Sequence, residues 1–500
     1  MLARVFSATT LGLEPVKIEV EVDGMRGMPN LIIIGLPTKE VDESKERITA
    51  SLINCGIKIK SKKTIVNLAP ADLKKTGSNF ELAIAVGMLK MYGEINLFTD
   101  DTIFFGELAL NGELKPIRGA LPLTLAAKKM GFKKIILPQK NISEVQIISD
   151  IDIYPIDHLK DFIAYARNER KLIKLIPQKF SPFQETDYPI DFADIYGQEQ
   201  AKRALEIASA GRHNILLNGS PGSGKSMMAQ AIISILPPLT ECEAIEITNI
   251  YSVCGLNPKG LIKIRPFRSP HHTTSQVGLI GGGSNLHPGE ISLAHRGILF
   301  LDEFPEFSRS SLEALRQPLE NGNISLSRSA GTVNYPSLFT LVAASNPCPC
   351  GNFGSVKKKC TCSPFSINKY QKKLSGPILD RIDMHLFVRE VELAKITQKD
   401  QLAEKSSKIR QRVCLALERQ KFRFKNSCYL TNNELSSKEV KNYLFLSLEA
   451  EKLILQASTK LNLTARSFFK LIKVAQTIAD LEGCDKIDEN CMAEALQYRM

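Results

Sequence analysis

An α/β protein with a helical C-terminal region is the fold class predicted for these 500 residues. Three observations predict it. Short apolar runs of strand type alternate with helix-type stretches from the N-terminus to about residue 390. A glycine-rich G-x-x-x-x-G-K-[ST] stretch lies between one such strand and one such helix. Beyond residue 391 the pattern turns to long helices with few glycines. The order read from the chain is an α/β domain over 1–175, a linker over 176–190, a nucleotide-binding α/β domain over 191–390 and a helical cap over 391–500. No apolar run approaches the ~18 residues of a membrane span. The opening Met1-Leu2-Ala3-Arg4-Val5-Phe6-Ser7 lacks the apolar core of a signal peptide, so a cytoplasmic protein is expected.

In the first domain Leu31 to Ile34, Thr64 to Leu68 and Lys134 to Leu137 read as strands, and Asp42 to Asn54 and Phe80 to Met91 as helices. Pro177 to Pro189 is proline-spaced and aperiodic, as a linker would be. In the second domain Ile215-Leu216-Leu217 reads as a buried strand, and Lys225 to Leu236 as a helix stopped by Pro237-Pro238. Two more apolar runs, Gly297 to Leu301 and Leu338 to Ala344, complete a parallel sheet. In the cap, Leu444 to Lys460 and Arg466 to Leu481 carry helical periodicity, the latter closed by Gly483.

Composition sets limits. A hydrophobic fraction of 43% supports proper cores. Eleven cysteines, an odd number with no export signal, argue against a disulfide framework. The net charge of +12 is spread along the chain, with one local concentration between Lys405 and Lys425, where Glu418 is the single acid. Such a stripe either neutralises nucleic-acid phosphates or forms a solvated helix face.

The chemistry begins at Gly219, Ser220, Pro221, Gly222, Ser223, Gly224, Lys225 and Ser226. The glycines let backbone N–H groups turn inward on a phosphate chain at a helix N-terminus. Lys225 reaches the β/γ-phosphates, and the Ser226 hydroxyl sits on Mg²⁺. ATP with Mg²⁺ is therefore the expected cofactor pair. Asp302 and Glu303 follow the strand ending at Leu301: the first suits Mg²⁺, and the second suits the attacking water. Asn346, at the end of the next strand, either senses the γ-phosphate or merely forms the turn before Pro347.

The separation of Lys225 and Asp302 leaves room for an inserted region, about Tyr251 to His295, with Arg265, Arg268 and the pair His271-His272. The histidines lack neighbouring ligands at suitable spacing, so no metal is expected there. Cys348, Cys350, Cys360 and Cys362 fall close together around Lys357-Lys358-Lys359. Two cysteine pairs joined by a loop can supply four thiolates to Zn²⁺, although C-x-C is tighter than the usual C-x₂-C. Buried or reduced thiols without a metal, and a redox role, remain the alternatives.

Together these motifs resemble the magnesium-chelatase-like branch of the AAA+ ATPases, and within it the bacterial ComM/YifB family. That family forms rings and includes a DNA branch-migration helicase of natural transformation. The resemblance is carried by Gly219 to Ser226, by Pro288 to Gly297 leading into Asp302-Glu303, and by Asn346 to Gly351. Ser375 to Asp383 and Thr464-Ala465-Arg466-Ser467 complete it. It implies that Asn346 is sensor 1, Arg381 an arginine finger offered to a neighbouring subunit, and Arg466 the sensor-2 arginine of a helical lid. It implies a homo-oligomer, a hexamer, acting on single-stranded or branched DNA, for which Arg265, Arg268 and Arg328 are candidate contacts.

The first domain resembles the Lon-protease-type (ribosomal S5-like) α/β fold at Lys74 to Phe80 and Leu114 to Leu121. Asn79 and Leu121 fall where that protease keeps its nucleophile and base, and neither can do that work. Two alternatives stay open: a chelatase-type motor driving metal insertion through partner subunits, and a scaffold switched by ATP.

Overall fold

Two strands of the N-terminal sheet, Glu14–Met25 and Lys63–Ala69, alternate buried residues with half-exposed ones, so one face of each is committed to a core. The computed structural model describes residues 2–28, 30–36, 39–59, 63–71, 75, 77–96, 99–182, 188–256, 260–283, 286–328, 331–355, 358–390, 404–427 and 429–499. Lys74, Thr76, Lys357, the middle of the expected linker and residues 391–403 lie outside these. The strands are β1 (Ala3–Leu11), β2 (Glu14–Met25), β3 (Asn30–Ile34), β4 (Lys63–Ala69), β5 (Thr102–Phe104), the short pair β6 (Glu107–Leu108) and β7 (Leu114–Lys115), β8 (Lys134–Pro138) and β9 (Asp152–Ile156). Seven of them form one sheet ordered β3-β4-β2-β1-β5-β8-β9. Ile18, Val20 and Val22 of β2 and Val66 and Leu68 of β4 point into the same core. The helix Glu81–Tyr92 is apolar on every side, and nearly all of it is enclosed between this sheet and its neighbours.

The expected strands at 31–34, 64–68 and 134–137 are present, with the helices Lys39–Asn54 and Glu81–Tyr92. The long hairpin β1–β2 was not anticipated. Its second strand shows a plain period of two, but β1 is buried on both faces through Ser7 and Thr9 as well as its apolar residues. That hides its alternation.

The central sheet is parallel and covered on both faces. Its strands are β10 (Ile215–Gly219), β11 (Phe267–Arg268), β14 (Ile298–Leu301), β17 (Thr340–Ser345) and β18 (Met384–Val388), in the order β11-β14-β17-β10-β18. Every residue of β14 and β17 is buried, the unbroken apolar run that a doubly covered parallel sheet demands. Two hairpins project from it: β12 (Gly281–Gly282) with β13 (His287–Pro288), and β15 (Asn323–Arg328) with β16 (Gly331–Pro336). The root of the second is anchored by Val333 and Tyr335 packed with Leu286 beside Leu13 of the first domain. After the phosphate loop the α-helix is shorter than expected, Lys225–Ala231, and tightens to a 3₁₀ turn over Ile232–Ile235 before Pro237.

The C-terminal region is helical: Ser406–Arg423, Ser437–Tyr443, Leu448–Lys460, Ala465–Glu482 and Glu489–Gln497. These helices share one apolar core with the helix Glu199–Gly211 and one face of the central sheet. Ala465–Glu482 starts where Thr464 caps the Ser467 N–H and stops at left-handed Gly483. The helix expected from Leu444 begins later, because the Ser447 side chain accepts from the Ala450 N–H and sets the start at Leu448. The expected linker is pinned at its N-terminal end: Leu175 and Gln178 donate to Ile153 and Gln146 backbone oxygens, and Phe180 packs beside Leu239.

Candidate nucleotide site

The phosphate loop is shaped by backbone geometry. Gly222 and Gly224 take left-handed φ values of 77° and 90°, which turn the loop back on itself into the helix that starts at Lys225. The Lys225 ammonium is folded inward: it donates to Gly219 O at 2.6 Å, Ser220 O at 2.9 Å and Asn346 Oδ1 at 3.3 Å. Burial lowers its pKa, opposed by the Asp302 carboxylate. Ser226 Oγ donates to Asp302 Oδ2 at 2.7 Å, which brings together the two side chains assigned to Mg²⁺. Pro221 to Gly224 line a cavity of about 520 Å³ together with Tyr196 and Met227. Gln198, itself left-handed, donates to Ser223 O and Arg389 O across its rim.

Glu303 sits one residue past Asp302 at φ 51°, and its N–H donates to Asp302 Oδ1 at 2.9 Å. Its carboxylate meets His272 Nδ1 at 3.0 Å. The paired histidines, judged above only as metal ligands, thus have a different neighbour: the acid positioned for water.

Arg381 and Arg466 are elsewhere. They share one carboxylate, Glu320, with Arg381 Nη2 2.8 Å from it and Arg466 in close contact. Neither acid flanking Arg381 takes its guanidinium. Asp383 is buried with Lys470 at 2.7 Å, and Asp380 faces Arg499. Arg381 Nη1 donates to Pro377 O, while its buried Nε has no partner among the described residues. These residues line a second cavity, of about 710 Å³, whose described lining carries five basic side chains to three acidic. Burial pushes the Lys473 ammonium there down to about 8. None of the residues from Gly219 to Ser226 lines it.

The candidate DNA contacts divide. Arg265 is a correction, since it is not a surface residue. Its guanidinium is enclosed and donates to Glu243, Pro237 O, Pro238 O and Arg296 O. Arg268 forks onto Glu290 at 2.6 and 2.7 Å and is half-buried. Arg328 ends β15, its backbone in register with Gly331 at the tip of the hairpin, and Ser329 and Ala330 between them lie outside the described residues. In the stripe from Lys405 to Lys425, Arg412 pairs with Glu206 and Glu404 and Arg423 with Asp480, while Lys405, Lys408, Arg419, Lys421 and Lys425 face solvent.

The four expected cysteines do converge. Their sulfurs lie within 4.8 Å of one another, and all ten described cysteines are free. Backbone N–H groups of Asn352 and then Thr361 hold the Cys350 thiol down to about 5. In the first domain Ser78 Oγ donates to Glu107, Asn79 lines a polar cleft, and Leu121 is wholly inside an apolar core.

Three family models match the chain. The one described as magnesium chelatase, subunit ChlI, covers 191–396, subunit ChlI of Mg-chelatase covers 20–141, and the magnesium chelatase subunit ChlI C-terminal model covers 403–499. Competence protein ComM of Haemophilus influenzae is 38% identical over 100% of this chain and 97% of its own. An uncharacterized protein YifB of Salmonella typhimurium is 39% identical over the same shares. The chain belongs to the magnesium-chelatase-like ComM/YifB family. A segment covering 38% of this ComM/YifB protein is also 26% identical to 22% of the DNA helicase MCM8 of Bos taurus. As a member of the family it is an AAA+ ATPase with an α/β core and a helical C-terminus, as its motifs led one to expect. Among the described residues no helix is long and apolar enough to cross a membrane.

Sequence reasoning missed Glu320, Gln198 and the partner of His272. None carries a local signature: Glu320 is one acid among many until the fold sets two arginines against it. Gln198 could have been suspected from Gly197-Gln198 just before a helix, where a left-handed residue fits.

Proposed function

We propose that this chain is one subunit of an ATP-driven ring, a hexamer, that moves along DNA in the cytoplasm. One observation carries the reading: a single chain holds a phosphate loop beside one cavity, and two arginines converging on Glu320, one with an unpartnered buried Nε, beside another. A γ-phosphoryl in transfer spreads charge over three oxygens, and a guanidinium from outside the loop is the group that meets it. If Arg381 and Arg466 do not reach their own loop, a neighbour's loop is what they serve, and hydrolysis requires assembly. Asn346 then senses the γ-phosphate beside Lys225, Glu303 aligns the water, and Ser226 with Asp302 holds Mg²⁺. Zn²⁺ on the four cysteines is the third cofactor of this reading.

DNA as the substrate draws support from the likeness to competence protein ComM and to the helicase MCM8. Arg328, at the tip of a hairpin with an anchored root, is the described candidate for touching backbone phosphate. The first domain has no peptidase role here, since an amide and a hydrocarbon stand at Asn79 and Leu121. A chelatase-type motor is the second reading, favoured by the descriptions of the three matching models.

ATP turnover measured with no DNA and with single-stranded, duplex and forked DNA separates the two, alongside particle mass with and without a slowly hydrolysed ATP analogue. DNA stimulation together with a nucleotide-dependent ring supports the motor. Turnover indifferent to every DNA form, at low salt where phosphate contacts are strongest, refutes it.

A further inference from the structure

Residues 348–362 form a loop with no helix or strand among its described residues, yet it closes on itself at the cysteines. Zinc bonded to four thiolates at about 2.3 Å sets neighbouring sulfurs about 3.8 Å apart. Here Cys348 and Cys350 are 3.4 Å apart, Cys350 and Cys360 3.6 Å, and Cys348 and Cys360 3.7 Å. Cys362 completes the group, and no ligand of another type enters it. Phe353, one of the few large apolar side chains in the loop, is exposed, so an apolar core does not explain the closure. A small loop without a core needs a staple, and four converging thiolates are a metal staple.

Three contacts run from this staple to the nucleotide cavity. Gly351 is left-handed and pressed on the phosphate loop: a Cβ there would fall 2.4 Å from Pro221 Cδ. Cys350, Asn352 and Lys358 line the same cavity as Pro221 to Gly224. Asn346, two residues before Cys348, accepts from the Lys225 ammonium. The loop is therefore a wall of the cavity, and the sulfurs are what hold the wall up.

We infer that Zn²⁺ bound by Cys348, Cys350, Cys360 and Cys362 builds one wall of the nucleotide cavity, so that metal loading and nucleotide affinity rise and fall together. The inference rests on reading that cavity as the nucleotide site. The ion is a strut: it touches neither the phosphates nor the attacking water.

The test uses full-length protein purified anaerobically without chelator. Metal analysis should find about one zinc per chain. Co²⁺ replacement should give the intense thiolate-to-metal bands of a tetrathiolate site. A fluorescent ATP analogue, titrated into loaded, chelator-stripped and zinc-restored protein, should bind about tenfold more weakly to the stripped form, a shift of about 1.4 kcal/mol, and recover on restoration. Cys360→Ser and Cys362→Ser should behave as the stripped protein does. Absence of zinc together with absence of thiolate–cobalt bands overturns the site. Equal affinity of stripped and loaded protein overturns the coupling, and so does loss of the far-UV signal on stripping, which would assign the metal to the whole fold. Lys225→Ala in the same titration keeps the two readings apart. If it binds like the unaltered protein, the cavity is not the nucleotide site, whatever the cobalt spectrum shows.

Discussion

The two cavities of the central domain are opposites in electrostatic state. Around the phosphate loop three key side chains are matched within the chain: Lys225 has three acceptors, Ser226 holds Asp302, and Glu303 holds His272. Around Glu320 the cations outnumber the anions, and Arg381 keeps a buried Nε with nothing to donate to. A buried donor left without a partner costs about 1–3 kcal/mol. The charge balance of the second is positive, and in the proposed ring the nucleotide of a neighbouring subunit would be the anion that meets it.

Removing the cation of the phosphate loop should have the largest effect. Lys225→Ala takes away the side chain that meets the β/γ-phosphates, so ATP turnover should fall to background and tight nucleotide binding should disappear. Equilibrium binding of a labelled nucleotide checks it. Unchanged affinity would mean that Gly219 to Ser226 is not the phosphate site.

Arg381→Ala attacks the second cavity and should spare binding at the first. Turnover should drop by ~10³ or more, the scale of an arginine finger, with nucleotide affinity nearly intact. Mixing it with Lys225→Ala should restore part of the activity, because mixed rings contain interfaces with both halves intact. Confirmed co-assembly without recovery would place the action of Arg381 within its own subunit.

Glu320 offers a subtler break. Its carboxylate occupies both arginines in the isolated chain, and Glu320→Gln keeps the shape while removing the charge. The pairs are partly exposed, so each is worth about 1 kcal/mol or less, and turnover should rise by ~two- to fivefold at subunit concentrations where assembly limits the rate. A fall in turnover with unchanged assembly would show that Glu320 positions the arginines instead of withholding them.

What could be read from sequence follows what is local. The phosphate loop, Asp302-Glu303 and the apolar strands between them are contiguous patterns with one physical meaning each; they locate Pro221 to Gly224 in the first cavity but not Tyr196 and Gln198, which the fold brings to it. The four cysteines were visible as a group because their spacing is short. Glu320 and His272 act through partners 61 and 31 residues away in sequence, Arg381 and Glu303, and no window contains both members. Arg265 misled for the same reason. A basic residue in a loop reads as exposed, and only the fold reveals that Glu243 and three backbone carbonyls surround it.

Arg265 and Arg328 give the last and smallest effect on turnover, and they test whether the enclosed guanidinium or the hairpin tip serves DNA binding. Burial alone would raise the Glu243 carboxyl, but Arg265 and Arg212 overcome it and hold it down to about 2. Its folded value lies below the ordinary one, so its contribution to stability is present above about pH 4.3 and is lost as pH falls toward 2. Arg265→Ala leaves that carboxylate to Arg212 alone and takes the donors from three buried carbonyls, which should cost about 1–3 kcal/mol, read as a lowered Tm at neutral pH. Among the molecules that remain folded, the salt dependence of DNA binding should be unchanged. Arg328→Ala should do the reverse: the Tm stays where it was, and the slope of log affinity against log salt falls by ~1 for each subunit that contacts DNA. A reduced slope for Arg265→Ala with an unaltered Tm would show that the buried guanidinium reaches solvent in the working ring. That would return the inserted region to the DNA-binding surface.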